Sequence, residues 1–349
     1  MSLEEDRRAI DRLDEQLLAL LNQRAALAKR IGENREHSFD PAREKQILDR
    51  LAALSAGPLP AEAVKAIYAL MIAEMRLLAR KICVSYLGPQ GTFAHAAALG
   101  KFGPHADLVP ADSIPDIFKQ VETGAADFGV APFENSTQGV VIPTLDMFME
   151  SSLQACAEIN VEIVHHLLSN SPLERINRVY SVGQALAQCH RWLRLNLPAA
   201  ERIEVTSTAR AAQLARAEPA SAAIASELSA QLHDLPIVCR AIQDSAFNRT
   251  RFLVLSPASA PPGTADKTSL LFSVRHEPGS LYKTLAAFSE HGINLTMIES
   301  RPTKKTPWEY VFFVDCQGHA SQPPLSLALE ALRERCLFLR VLGSYPEAD

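Results

Sequence analysis

The chain changes its hydrophobic period twice, and those changes limit its fold more than any other feature. Residues 1–82 carry no strand-like alternation. Ile10, Leu13, Leu17, Leu20, Leu27 and Ile31 recur at steps of three and four, the spacing of one face of a long helix. Asp40 and Pro41 read as an N-cap followed by proline at the first helical position, opening a second helix toward Leu54 that Gly57, Pro58 and Pro60 end. A third stripe follows in Val64, Ile67, Tyr68, Met71, Met75, Leu78 and Ile82. Helices of this length suit an all-α bundle, which a second copy could interlock.

From residue 83 to 257 the pattern becomes strand and helix in turn, with strands expected at 84–87, 128–132, 163–168, 179–182, 222–224 and 252–255. This alternation predicts an α/β domain, whose ligands gather at the carboxyl ends of strands. After Ser256 the run PASAPPGTAD reads as a linker. Residues 266–349 then spell βαββαβ, a small α+β domain: strand 268–274, helix 279–291, strands 293–300 and 310–316, helix 325–335 and strand 338–342. A chain of 349 residues is long enough for three such cores.

A formal net charge of -5 gives no basic face for nucleic acid and no polybasic run for a membrane surface. Cys83, Cys156, Cys189, Cys239, Cys316 and Cys336 are scattered without a CxxC pair, which fits reduced thiols better than a disulfide frame or a zinc site. No apolar run approaches a membrane span or a signal segment, and the amino terminus is acidic. The expectation is a soluble cytoplasmic protein that acts on a small molecule without metal or cofactor.

Four segments carry the chemistry of the middle domain. FGVAPFENSTQG at 128–139 runs from a buried-looking strand into Glu134, Asn135, Ser136 and Thr137, a cluster that reads equally as a polar turn or a binding site. NRTRF at 248–252 precedes another strand, SVGQALAQC at 181–189 sets Ser181 at a strand end with Gln184 and Gln188 a helical turn apart, and YLGPQGTF spans 86–93. Together these segments resemble prephenate dehydratase over about 170 residues. The resemblance implies two lobes like those of a periplasmic binding protein, with the substrate in the cleft between them. It also implies catalytic roles for Thr250, Asn135, Ser136, Glu134, Ser181 and Gln188, and substrate contacts from Thr137, Thr208 and Arg251. A threonine hydroxyl is a weak acid, so Thr250 is expected to stabilise by hydrogen bonding. Glu134 reads as an acid or as a structural carboxylate, Arg251 as a carboxylate ligand or as a domain-orienting residue, and His165 as a core histidine.

In the first helix, Arg24 falls where the apolar seam calls for leucine, and a guanidinium there needs an anionic partner. Arg35 lies three turns on and only about 20° around the axis, so both can grip one ligand. Arg7 is roughly 26 Å from Arg24 along a straight helix and about 100° off that face, so it would serve a partner subunit's site. IDRLDEQLLALLNQR at 10–24, with PARE at 41–44, resembles the all-helical class of chorismate mutase. That resemblance implies carboxylate binding by Arg7, Arg24 and Arg43 and hydroxyl contacts from Asp40 and Glu44. Arg35 stands where the family's lysine meets the substrate ether. Ala79 stands where a Gln or Glu usually contacts the same oxygen, with Arg76 and Arg80 a turn away as substitutes. For Asp40, helix capping explains the residue as well as ligand binding does.

In the last domain, PGSLYKTL at 278–285 and ESRP at 299–302 resemble the ACT regulatory domain. The implied effector is L-phenylalanine, held at Gly279, Ser280 and Leu281 with Asn294, Leu295, Glu299 and Ser300, where two copies of the domain meet. All three resemblances point to a bifunctional chorismate mutase and prephenate dehydratase, inhibited by phenylalanine and homodimeric or larger. The alternatives are a monofunctional prephenate or arogenate dehydratase with a dimerising helical arm, and a non-catalytic phenylalanine sensor.

Overall fold

In a computed structural model of the protein, which describes residues 3–33, 39–245, 247–303 and 309–348, the first unit is three helices: α1 (Leu3–Glu33), α2 (Pro41–Leu54) and α3 (Ala61–Leu77). Glu4, Glu5 and Asp6 place negative charge at the positive end of α1. Asp40 caps α2, its carboxylate accepting from the Arg43 backbone N–H at 2.9 Å, with Pro41 at the helix start. No residue of α1 is buried. Leu13, Leu17 and Leu20 of its seam are 56%, 55% and 60% exposed, so the stripe that defines the helix has no cover within one chain.

The middle unit has two lobes. The first holds β1 (Cys83–Leu87), β2 (Asp107–Ala111), β3 (Phe128–Asn135), β4 (Gly139–Val140) and β5 (Gln154–Glu162), with helices α4 (Phe93–Phe102), α5 (Ile114–Glu122) and α6 (Ile142–Glu150). The chain then builds a second sheet from β6 (His166–Leu168), β7 (Arg178–Ser181), β8 (Glu201–Glu204), β9 (Ser221–Ala225) and β10 (Ile237–Cys239). Helices α7 (Gly183–Gln188), α8 (His190–Asn196), α9 (Thr208–Ala217) and α10 (Glu227–Leu232) complete that lobe. It returns through β11 (Arg249–Ser256), which inserts between β3 and β5 to give the order β2-β1-β3-β11-β5. The second sheet runs β10-β6-β9-β7-β8. Two crossings therefore join the lobes, one before β6 and one before β11, and His165 and Asn248 lie on them.

Of the expected strand at 163–168 only the second half, β6, is strand; residues 163–165 form the first crossing, and β5 ahead of them is not among the expected strands. Edge strands β2 and β8 escaped the periodicity because β2 contains Pro110 and three of the four residues in β8 are charged, both devices of sheet edges.

The last unit is βαββαβ as expected, with β12 (Asp266–Ser273), α11 (Ser280–Glu290), β13 (Leu295–Pro302), β14 (Tyr310–Gln317), α12 (Leu325–Arg335) and β15 (Phe338–Pro346) in the antiparallel order β13-β14-β12-β15. One face of this sheet packs Leu270 and Phe272 against Phe288 and Leu329 of its helices. The other sends Leu271, Phe313 and Tyr345 into a shared core with Phe133, Leu253 and Leu255 of the first lobe. The expected linker is tied down: Ser259 Oγ donates to the Ser344 carbonyl at 2.9 Å and accepts from the Ser344 N–H at 2.8 Å.

Gly343 of β15 has φ +152° and presses on β5, where an added Cβ would stand 2.0 Å from the Ala155 carbonyl oxygen. Gly343→Ala should therefore lower stability by about 1–3 kcal/mol, read as a fall in the thermal midpoint. Gly100→Ala, in α4 with open space around it, should raise stability by roughly 0.5–1 kcal/mol.

Candidate active sites

Adjacent strands β3 and β11 bring the two central motifs of the middle domain together. Thr250 pairs with Asn135 across the strands and Arg251 with Glu134, while Phe252 pairs with Pro132, so Phe133 is an extra residue bulged out of the ladder. Cross-strand partners share a face. Asn135 and Thr250 consequently point into the cleft, and Glu134 and Arg251 point to the opposite side of the sheet.

A hydrogen-bonded network grows from the first pair. Asn135 Nδ2 lies 2.9 Å from Thr250 Oγ1, 2.9 Å from Asn248 Oδ1 and 3.2 Å from the Arg249 carbonyl. Its Oδ1 accepts from the Thr137 N–H at 3.0 Å and from the Thr137 hydroxyl at 2.6 Å. From the other lobe, Gln188 Nε2 donates to Thr137 Oγ1 at 3.1 Å, and Gln188 Oε1 receives Asn248 Nδ2 at 3.0 Å. An amide nitrogen has no lone pair to offer, so the Thr250 hydroxyl hydrogen cannot point at Asn135 and is free for a bound molecule. The network consists of amides, hydroxyls and one imidazole, His165, whose Nε2 is 2.9 Å from Gln188 Oε1. Burial lowers the His165 pKa from its usual value, against the contrary pull of its bond to Gln188, so the ring is neutral near pH 7.

Other expected site residues are elsewhere. Ser136 is a brace: its hydroxyl donates to the Phe247 carbonyl and accepts from the Arg249 N–H, both at 2.9 Å, which pins the turn to the start of β11. Ser181 is fully buried and spends its hydrogen on the Ile224 carbonyl at 2.7 Å, inside the second sheet rather than in the cleft. Thr208 is buried at the start of α9. Arg251 is domain-orienting rather than a cleft ligand. Its Nε lies 2.7 Å from Glu158 and its Nη1 2.5 Å from Asp315 and 3.5 Å from Glu134. Nη2 donates to the Tyr345 hydroxyl at 2.8 Å. Lys267 Nζ stands 3.1 Å from both Glu158 oxygens, and Ser269 donates to Asp315 at 2.5 Å. Strand alternation explains the correction, because neighbours on one strand face opposite ways.

In the helical unit a pocket of about 150 Å³ is lined by Arg24, Glu44, Met75, Arg76 and Ala79. Arg24 Nη1 donates to the Met75 sulfur at 2.8 Å, a weak acceptor in the place where an anion was expected. Arg76 is 8% exposed, pairs with Glu44 through Nη2, and lies 4.7 Å over the Phe39 ring. Its Nε and Nη1 are buried without a protein partner among the described residues. Lys101 of the middle domain reaches the same Glu44 at 3.5 Å. Ala79 is small because α1 comes close: a Cβ on Gly32 would lie 2.3 Å from that of Ala79. Asp40 and Arg43 line a separate pocket beside Pro261 and Gly263, with Asp40 engaged as the α2 cap, and Arg7 is exposed on α1. Arg35 lies outside the described residues.

In the last unit Gly279 has φ +81° and opens α11, followed by Ser280 and Leu281. The backbone carbonyl of Asn294 accepts from the Gln317 N–H at 3.0 Å, and Leu295, Glu299 and Ser300 lie on β13, the outer strand of the sheet.

Known proteins align with this division. Residues 84–260 match the prephenate dehydratase family, residues 6–80 chorismate mutase type II, and residues 268–334 the ACT domain. The chain is similar to a bifunctional chorismate mutase/prephenate dehydratase of Aquifex aeolicus, 49% identical over 99% of this chain and 98% of that protein. Among solved structures, a prephenate dehydratase from Arthrobacter aurescens in complex with L-Phe superposes with a TM-score of 0.70 at 34% identity, covering 76% of this chain and 90% of its own. A quorum-quenching acylase superposes equally, TM-score 0.70 at 29% identity, over 76% of this chain and 98% of its own.

The Arg251 cluster makes a direct prediction. Arg251→Met leaves Glu158 and Asp315 with less compensation in a buried setting, so it should cost about 3–5 kcal/mol in denaturant unfolding. Arg251→Lys should recover only part of this, because an ammonium cannot reproduce the planar fork.

Proposed function

Since the chain belongs to the bifunctional chorismate mutase/prephenate dehydratase family, we propose that its two activities use the two separate constellations just described and that the ACT domain is the phenylalanine sensor. The protein rearranges chorismate to prephenate and converts prephenate to phenylpyruvate with loss of water and carbon dioxide.

The first reaction is pericyclic and needs no nucleophile. It needs cations that hold a compact dianion in its reactive shape and a donor on the breaking ether oxygen. Arg24 holds a carboxylate. Arg76, with two nitrogens free of protein partners among the described residues, supplies the donor that Ala79 cannot. Arg7 completes the site of a second copy, and the exposed Leu13, Leu17 and Leu20 stripe supports a homodimer in which α1 is covered by its counterpart.

In the second reaction the electron pair of the ring carbon–carboxylate bond moves into the ring, carbon dioxide departs, and the ring carbon–hydroxyl bond breaks. The departing hydroxide takes up a proton from the medium and leaves as water. Thr250 donates its hydrogen bond to that oxygen, with Asn135 holding the threonine oxygen from behind. The single observation that carries this reading is the 2.9 Å Asn135–Thr250 contact, which unites both motifs on one face. Acyl transfer, the chemistry of the acylase relative, calls for a hydroxyl facing a base, whereas Thr250 is backed by an amide donor.

L-phenylalanine binds at Gly279, Ser280 and Leu281 with Asn294, and lowers dehydratase activity. The Arthrobacter aurescens relative with bound L-Phe supports this assignment. Six free cysteines agree with a reducing cytoplasm.

Thr250→Val should lower phenylpyruvate formation by about 10²–10³-fold while the mutase rate stays within twofold or so of wild type. Arg24→Ala should do the reverse, and equal loss of both activities in either variant would contradict separate sites. Mixing Arg7→Ala and Arg24→Ala proteins under conditions of subunit exchange should restore mutase turnover. Failure to restore it would overturn the shared site.

A further inference from the structure

The polarity of the dehydratase network is fixed by the backbone, and following it outward leads to a histidine that none of the motifs contains. The Thr137 N–H can only donate and the Arg249 carbonyl can only accept, so Asn135 must turn its oxygen to the first and its nitrogen to the second. Asn135 Nδ2 then requires the oxygen of Asn248, which leaves the Asn248 nitrogen facing Gln188 and demands Oε1 there. Gln188 therefore presents Nε2 to Thr137 Oγ1. With Oε1 so assigned, the ring nitrogen 2.9 Å away must carry hydrogen, and His165 is the Nε2–H tautomer.

Everything around His165 holds it in that pose. The residue is 3% exposed, its backbone N–H donates to Gln243 Oε1 at 3.0 Å, and Phe93 meets its ring edge-on with centroids 5.7 Å apart. Nδ1 is buried without a partner among the described residues, an uncompensated lone pair that an apolar side chain would not carry. A histidine kept for packing alone gives no account of that. A histidine kept for its Nε2–H does.

We propose that His165 is a positioning residue for dehydration, clamping the Gln188 carbonyl so that one amide hydrogen of Gln188 bonds Thr137 and the other is presented to the substrate. The proposal rests on the dehydratase reading above. Gln188 belongs to the second lobe and Thr137 to the first, so the clamp also sets how one lobe meets the other across the cleft.

The test uses the full-length enzyme with prephenate, comparing His165→Phe, His165→Asn and His165→Gln, each alone and with Gln188→Ala. The mutase rate on chorismate reports folding in every sample. His165→Phe should lower kcat by about 10–100-fold with KM changed less than about threefold, the scale of a misplaced catalytic contact. A glutamine amide nitrogen reaches the Nε2 position, so His165→Gln should restore kcat to within about fivefold of wild type. An asparagine nitrogen reaches only the Nδ1 position, and His165→Asn should stay as low as His165→Phe. In the Gln188→Ala background, His165→Phe should cost nothing further. Equal kcat for the Gln and Asn variants, or losses that multiply with Gln188→Ala, would overturn the proposal. If His165→Phe fails to fold, the Gln and Asn pair decides the matter without it. A wild-type enzyme that makes no phenylpyruvate would instead overturn the dehydratase reading, leaving its own distinct signature.

Discussion

One strand, β11, carries the two interactions on which the rest of the molecule depends. Thr250 and Arg251 are sequence neighbours, so the pleat sends one into the cleft and the other through the sheet. On one side a hydroxyl is held by Asn135 at 2.9 Å; on the other a guanidinium bridges Glu158 of β5 and Asp315 of β14. Leu253 and Leu255 continue the second face into the core shared with the ACT domain, and Phe252 and Val254 continue the first toward α4 and Phe39. A shift of the ACT domain relative to the lobe therefore acts on the residue next to Thr250. Buried pairs of this kind resist sliding because separating them exposes charge to an apolar surround. The ACT domain is thus joined to the lobe rigidly rather than by a tether, and the pinned linker at Ser259 and Ser344 has the same effect.

The turning of Arg251 away from the cleft also makes chemical sense. A guanidinium on the ring carboxylate would stabilise the substrate most in its ground state, and that charge leaves as carbon dioxide, so the contact would weaken as the reaction proceeds. Neutral donors avoid this penalty and still support a departing hydroxide. The mutase pocket has the opposite requirement. Chorismate keeps both carboxylates throughout its rearrangement, so cations such as the Arg24 and Arg76 that line this pocket lose nothing as the reaction proceeds. One chain thus carries a pocket lined by two arginines and a cleft network of neutral amides and hydroxyls.

Much of this was legible in the sequence where a period or a motif is local. The three-four stripe of α1, the Asp40 cap and the βαββαβ order need nothing beyond neighbouring residues. The failures share one cause, which is that burial on two faces or at a sheet edge hides alternation. β5 places Glu158 inward because Arg251 and Lys267 wait there, so its apolar period is interrupted by a carboxylate whose partners lie far away in sequence. Glu134 and Asn135 read as one polar cluster, yet the bulge at Phe133 and the pleat separate them onto opposite faces. His165 gave a weaker signal still. It sits beside His166 ahead of an apolar pair, an ordinary core pattern, and its value lies in Gln188 and Asn248, which are distant in sequence.

The helical unit is joined to the dehydratase through chemistry as well as packing. Phe39 packs its ring 5.3 Å from Phe102 and 5.1 Å from Phe128, which makes it part of the first lobe's core. Glu44, a lining residue of the mutase pocket, is held by Arg76 from its own unit and by Lys101 from α4. Neutralising or moving Lys101 changes the field at Glu44, and hence how firmly Glu44 occupies Arg76 instead of leaving it to the substrate. The charge balance of the mutase site is thus set in part by the neighbouring domain. Glu44 is the carboxylate at which side chains of the two units meet.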